Sequence, residues 1–122
     1  MRRPLVRSEW IKPGTHVNAI GADAPGKQEL DPAILKRARV VVDEIEQSSH
    51  AGELNVPISR GEIRREDIHA QLGEVIMGLK AGRQNLEDIT VFDSTGLAIQ
   101  DIAAGALVYR KALEAGAGKE LN

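Results

Sequence analysis

The chain has 122 residues, a net charge of −2 and no cysteine. That length makes one domain large enough for a core of its own. A balanced charge with only Trp10, Phe92 and Tyr109 as aromatics excludes a stacking nucleic-acid platform, and the lack of cysteine excludes disulfides, thiolate metal sites and thiol nucleophiles.

The N-terminal run Met1-Arg2-Arg3-Pro4-Leu5-Val6-Arg7 is basic and has no apolar core of the kind a secretory leader needs. No later run is long enough and apolar enough to cross a bilayer. The expected setting is the cytoplasm. Trp10-Ile11-Lys12-Pro13-Gly14 reads as an approach and a turn. Thr15 to Ile20 reads as a short strand. A small-residue loop, Gly21-Ala22-Asp23-Ala24-Pro25-Gly26-Lys27, follows it. Asp31-Pro32 starts a helix, because Asp caps free N–H groups and Pro is pre-set for the first turn. That helix runs to Arg39, with Ile34, Leu35 and Ala38 as its apolar side.

Val40-Val41-Val42-Asp43 is a β-branched run that suits a strand buried on both faces. Glu44 to Ile58 is broken by Gly52, Asn55 and Pro57 and reads as loop or short helix. From Asp67 the spacing of Ile68, Leu72, Val75, Ile76 and Leu79 predicts a helix stopped by Gly82. Ile89 to Phe92 predicts a third strand. Asp93-Ser94-Thr95-Gly96 then turns into a last helix, Leu97 to about Ala115. Its apolar face is Ile99, Ile102, Ala103, Ala106, Leu107 and Leu113, with Tyr109 packing it. Gly116 and Gly118 end it.

Strands alternating with helices give an α/β fold with a parallel sheet and right-handed crossovers. With three strands it is a parallel, three-layer partial Rossmann fold, one half of a doubly wound domain. Ligands in such sheets lie beyond the carboxyl ends of the strands. Gly21 to Lys27 and Asp93 to Gly96 both follow strands, so both fall on that edge.

The first loop admits several readings from its residues alone. Gly21-x-x-x-x-Gly26-Lys27 matches the start of a phosphate-binding loop. Gln28, however, stands where a Ser or Thr holds magnesium, and the helix starts only at Asp31-Pro32. An ordinary strand-to-helix connection with a surface Asp and Lys is the plain alternative. His16, His50 and His69 are scattered. His50-x-x-Glu53 offers two metal ligands without a third, and His16 reads as a satisfied structural histidine. Glu53 and Glu74 read as hydrogen-bonding or capping groups, and Arg60 to Asp67 as a solvated charged face.

The stretch from Asn18 to Asp31, Asn18-Ala19-Ile20-Gly21-Ala22-Asp23-Ala24-Pro25-Gly26-Lys27-Gln28-Glu29-Leu30-Asp31, resembles the signature of the ornithine cyclodeaminase/mu-crystallin family. The likeness is nearest to its archaeal-type alanine dehydrogenases. It continues through Val41-Val42-Asp43, Gly52-Glu53-Leu54-Asn55, Leu72-Gly73-Glu74-Val75-Ile76-x-Gly78 and Phe92 to Asp101. The resemblance implies the C-terminal half of an NAD(P)-binding domain, with residues 1–122 forming one partial Rossmann-like domain and its C-terminal helix. The implied activity is hydride transfer to or from an amine-bearing carbon, as in oxidative deamination of alanine. Conversion of ornithine to proline and ammonia is the alternative.

The same resemblance implies roles for individual residues. Asp23 is the catalytic carboxylate, handling protons and stabilising an iminium, given burial that tunes its pKa. Ile20, Gly21, Ala22, Asp23, Lys27 and Ser94 contact NAD or NADP. Thr95 touches substrate, and free N–H donors at the start of the last helix help to bind a carboxamide or carboxylate. Partners are a small amino acid, a missing N-terminal half or partner chain, and further copies in a homo-oligomer. The chain has no Gly-x-Gly-x-x-Gly, so it is expected to start midway through the family's domain and to bind the cofactor poorly alone. A non-catalytic fragment or subunit that needs a partner chain is the other reading.

Overall fold

A computed structural model describes residues 4–119. The first strand, β1, is His16–Ala19. Helix α1, Pro32–Arg37, begins as expected: the Asp31 carboxylate accepts the Ala33 N–H at 2.9 Å. It stops two residues early because Ala38 is extended and the Arg39 N–H donates to the Ile89 carbonyl at 2.8 Å, starting β2, Arg39–Val42. The irregular segment forms two short helices, α2 (Ile45–His50) and α3 (Asn55–Ser59).

The stretch after Asp67 departs from the expected helix. His69 donates its N–H to the Val40 carbonyl, and Ala70–Gln71 forms β3 beside β2. Only Leu72–Ile76, α4, is helical. Ile68 is drawn into the core, whereas Ile76 and Leu79 are exposed. The 3.6-like spacing thus mixes a residue beneath the sheet with residues at its surface. The last strand is β4, Thr90–Asp93. The sheet has four strands, not three, all parallel, in the order β1-β4-β2-β3.

Strand alternation sorts the two faces. Val17, Ala19, Val40, Val42 and Val91 belong to one core with Ile34, Leu35 and Leu54. Full burial of side chains such as Ile34 and Val42 contributes roughly 1.5–3 kcal/mol each. The opposite face, with Asn18, Arg39, Val41 and Phe92, opens into a groove of about 510 Å³ bordered by Leu72 and Val75. Val41 is therefore half-buried, and the β-branched run is fully covered on one face only.

Helix α5, Ala98–Glu114, is nearly as long as expected but does not pack. Ile99, Ile102, Leu107 and Leu113 are exposed, and Tyr109, expected to pack this helix, is 66 % exposed. Its apolar stripe projects away from the sheet core. No described helix is long and apolar enough to cross a membrane.

Candidate functional site at the carboxyl edge of the sheet

Three strand ends meet on one edge. Asp93 of β4 pairs with Ala19 of β1 on one side and with Val42 of β2 on the other. The Ser94 N–H donates to the Ala19 carbonyl at 2.9 Å. The loop after β1 and the turn after β4 therefore leave the sheet side by side, as parallel pairing of the two strands requires.

Within the first loop, Ile20 and Gly21 are exposed and Ala22 is buried. Asp23 and Lys27 form an ion pair, with Nζ hydrogen-bonded to Oδ1. The expected burial of Asp23 is not found, since its side chain is 65 % exposed. The Lys27 ammonium instead holds the Asp23 carboxyl below the usual carboxylate range. Such a group is ionised at neutral pH.

The loop is held from behind. Asn55 accepts the Gly26 N–H at 2.9 Å and donates to the Lys27 carbonyl at 3.0 Å. The Glu53 carboxylate accepts the N–H of Glu29 at 3.0 Å and of Leu30 at 2.9 Å. Its reading as a hydrogen-bonding group holds. Burial raises its pKa against those two amides.

The second turn is gathered by Asp43, one residue past β2 and buried. Its carboxylate accepts the N–H groups of Thr95 and Gly96, both at 2.8 Å, and the Thr95 hydroxyl at 3.0 Å. Thr95 and Gly96 precede the last helix, whose N-cap is Leu97, so these two N–H groups are not among the donors expected at its start. The Leu97 N–H faces Gln100 Oε1 at 3.4 Å. Gly96 has φ +77°, a conformation that side-chain-bearing residues rarely adopt.

Beneath both loops lies Asp93, 1 % exposed. Burial pushes its carboxyl up to about 7, and the charges of Glu53 and Asp43 add to the shift. Sequence reasoning passed over Asp43, Asn55 and Asp93 as site-forming residues. An Asp directly after each of two β-branched or aromatic strands was the available signal.

The structure thus brings Ile20, Gly21, Asp23 and Lys27 to the same edge as Ser94 and Thr95. The two groups share that edge without a hydrogen bond between Asp23 and Ser94 or Thr95 among the described residues. Exposed Ile20 and Gly21 lie one strand away from the polar turn, with the Glu29 carboxylate against Gly21, where an added Cβ would fall 2.1 Å from Glu29 Oε2. The fit to triphosphate is poor, because α1 begins at Pro32 and not at Lys27.

The histidines lie elsewhere. His16 bonds Thr90 Oγ1 at 2.7 Å and Asn18 Oδ1 at 3.1 Å, and His50 bonds the Glu46 carbonyl at 2.8 Å. Among the described residues no three His, Cys, Asp or Glu side chains are grouped to hold a metal.

A parallel sheet with its loops converging beyond the carboxyl ends defines the class: an α/β domain of the doubly wound type. The family model of the ornithine cyclodeaminase/mu-crystallin family matches residues 1–116, and the chain belongs to that family. An alanine dehydrogenase of Archaeoglobus fulgidus is 58 % identical over 121 residues, covering 99 % of this chain and 38 % of the relative. An archaeal alanine dehydrogenase dimer with bound NAD superposes with a TM-score of 0.90 at 58 % identity, over 99 % of this chain and 38 % of that one. The Δ1-pyrroline-2-carboxylate reductase of Thermococcus litoralis, in complex with NADH and L-proline, superposes with a TM-score of 0.89 at 40 % identity, over 98 % and 38 %. The chain therefore spans little more than a third of the length of these relatives.

Proposed function

We propose that residues 1–122 form one partial Rossmann-like domain of an NAD(P)-dependent amino-acid oxidoreductase, of the alanine dehydrogenase type. The observation that supports this most is the pairing of β1 with β4. It sends the Asp23–Lys27 loop and the Ser94–Thr95 turn off one edge, in a chain 58 % identical to an alanine dehydrogenase. Bound at that edge, NAD(H) or NADP(H) takes or supplies the hydride.

The backbone of Ile20, Gly21 and Ala22 would line the cofactor, Lys27 would offer it a cation, and Ser94 would offer it a hydroxyl. Asp23 would act through its second oxygen, because Oδ1 is engaged by Lys27. Kept ionised, that oxygen accepts a proton from an ammonium or a water and favours positive charge on the substrate nitrogen. Thr95 would touch the substrate, a small amino acid.

The same reading gives the chain a partner polypeptide that supplies the rest of the enzyme, a homo-oligomeric assembly and a cytoplasmic setting. The exposed apolar stripe of α5 and the open sheet groove favour the need for a partner. The test is NADH fluorescence titration of the chain alone and with the N-terminal portion of the Archaeoglobus relative, followed by alanine turnover. Asp23→Asn should lower kcat by far more than it weakens NADH. Equal losses would remove the proton-handling role.

A further inference from the structure

Asp43 and Thr95 together fix a chemical polarity at the carboxyl edge. Every polar contact of the Asp43 carboxylate is with a donor. Oδ2 takes the N–H groups of Thr95 and Gly96, with Ser94 Oγ at 3.4 Å. Oδ1 takes the Thr95 hydroxyl at 3.0 Å and the Glu44 N–H at 3.0 Å, with Ser48 Oγ at 3.4 Å. A carboxylate only accepts, so the single hydroxyl proton of Thr95 is committed to Asp43. What remains on the Thr95 oxygen is lone pairs. Its backbone N–H and that of Gly96 are committed too, so these two residues turn no backbone donor outward. Thr95 is half-buried, and part of it reaches the surface.

We propose, resting on the reading of this edge as the substrate site, that Asp43 is a positioning residue that makes Thr95 a pure hydrogen-bond acceptor, selecting the N–H-bearing end of an amine or imine substrate over a carboxylate or keto oxygen. A site built to accept from an N–H rejects an analogue that brings only oxygen lone pairs, because two acceptors then face each other without a proton. Asp43 touches no ligand in this scheme. It acts by holding the Thr95 hydroxyl proton at its own Oδ1.

The test uses nitrogen-resolved NMR of the full chain, alone and supplemented with the N-terminal portion of the Archaeoglobus relative. In the first arm Asp43→Asn is compared with the parent chain. Hydrogen bonds to a charged acceptor should protect the Thr95 and Gly96 amides, and the variant should speed their exchange by roughly tenfold to a hundredfold. Unchanged exchange overturns the proposal.

In the second arm L-alanine and propionate are titrated separately. Alanine should move the Thr95 signals and propionate should not. Thr95→Val should abolish the alanine response, read at the Gly96 amide, and Thr95→Ser should keep it. Equal responses to the two probes, or none to either, overturn the assigned polarity. NADH titration of the same samples reads the underlying site separately. NADH binding with a failed alanine arm sinks only the polarity. Absence of NADH binding in both preparations sinks the site and this proposal with it.

Discussion

Gly52 lies directly against the carboxylate of Asp93: a Cβ added at Gly52 would fall 2.3 Å from Asp93 Oδ2. Asp93 is 1 % exposed and fixed at the end of a central strand, so it has nowhere to retreat. Gly52→Ala should destabilise the chain by roughly 1–3 kcal/mol through overpacking. Shortening Asp93 to Ser in the same chain should recover part of that loss, a coupling that urea denaturation of the two single variants and the double variant would measure.

Asp93 should also give stability a pH dependence opposite to ordinary acid denaturation. Its folded pKa, about 7, stands above the ordinary 3.8. Between those values the native state holds a proton that the unfolded state has lost, so stability falls as pH rises through this window. The contribution is fully present below 3.8 and is lost above about 7. Asp93→Asn should flatten that slope. Denaturant midpoints of both chains across the window check it, and parallel slopes would remove Asp93 as the cause.

Glu53 ties the first loop to the helical segment behind it. Glu53→Ala strands the buried N–H of Leu30 and the half-buried N–H of Glu29 without an acceptor. The expected cost is about 1–3 kcal/mol for each orphaned donor. Glu53→Gln keeps one acceptor oxygen and should recover much of it. Hydrogen exchange should localise the loosening to residues 20–30.

The Asp23–Lys27 pair should separate stability from function. Both side chains are substantially exposed, and such pairs contribute little to folding. Asp23→Asn should leave the melting temperature unchanged by thermal circular dichroism while lowering turnover of the complemented enzyme. A clear drop in melting temperature would give the pair a structural role instead.

Helix α5 should tolerate polar substitution. Ile102 and Tyr109 are 71 % and 66 % exposed. Ile102→Gln with Tyr109→Gln should leave the urea midpoint of the lone chain unchanged and reduce self-association in light scattering. If the stripe is the partner-binding surface, the same pair should weaken complementation.

Residue type and spacing determined much of this fold. Asp31-Pro32 starts a helix because capping and a pre-set φ act within one turn. Val40 to Val42 and Ile89 to Phe92 read as strands for similarly local reasons, and Gly116 ends the last helix at positive φ. The family signature from Asn18 to Asp31 marked the loop. Local pattern misread the stretch after Asp67, because pairing of β3 with β2 is a long-range contact that overrides helical spacing.

What the chain by itself settled was the sequence of elements and the residues offered for chemistry. Only the folded molecule decided how those residues are used. Parallel pairing set Asp43 beside Thr95 across 52 positions of chain, and so committed the Thr95 hydroxyl proton to the Asp43 carboxylate. It also buried Asp93 and left Asp23 in water beside Lys27. Burial, charge and hydrogen-bond direction depend on neighbours distant along the chain, and neighbours of that kind exist only once the strands have paired.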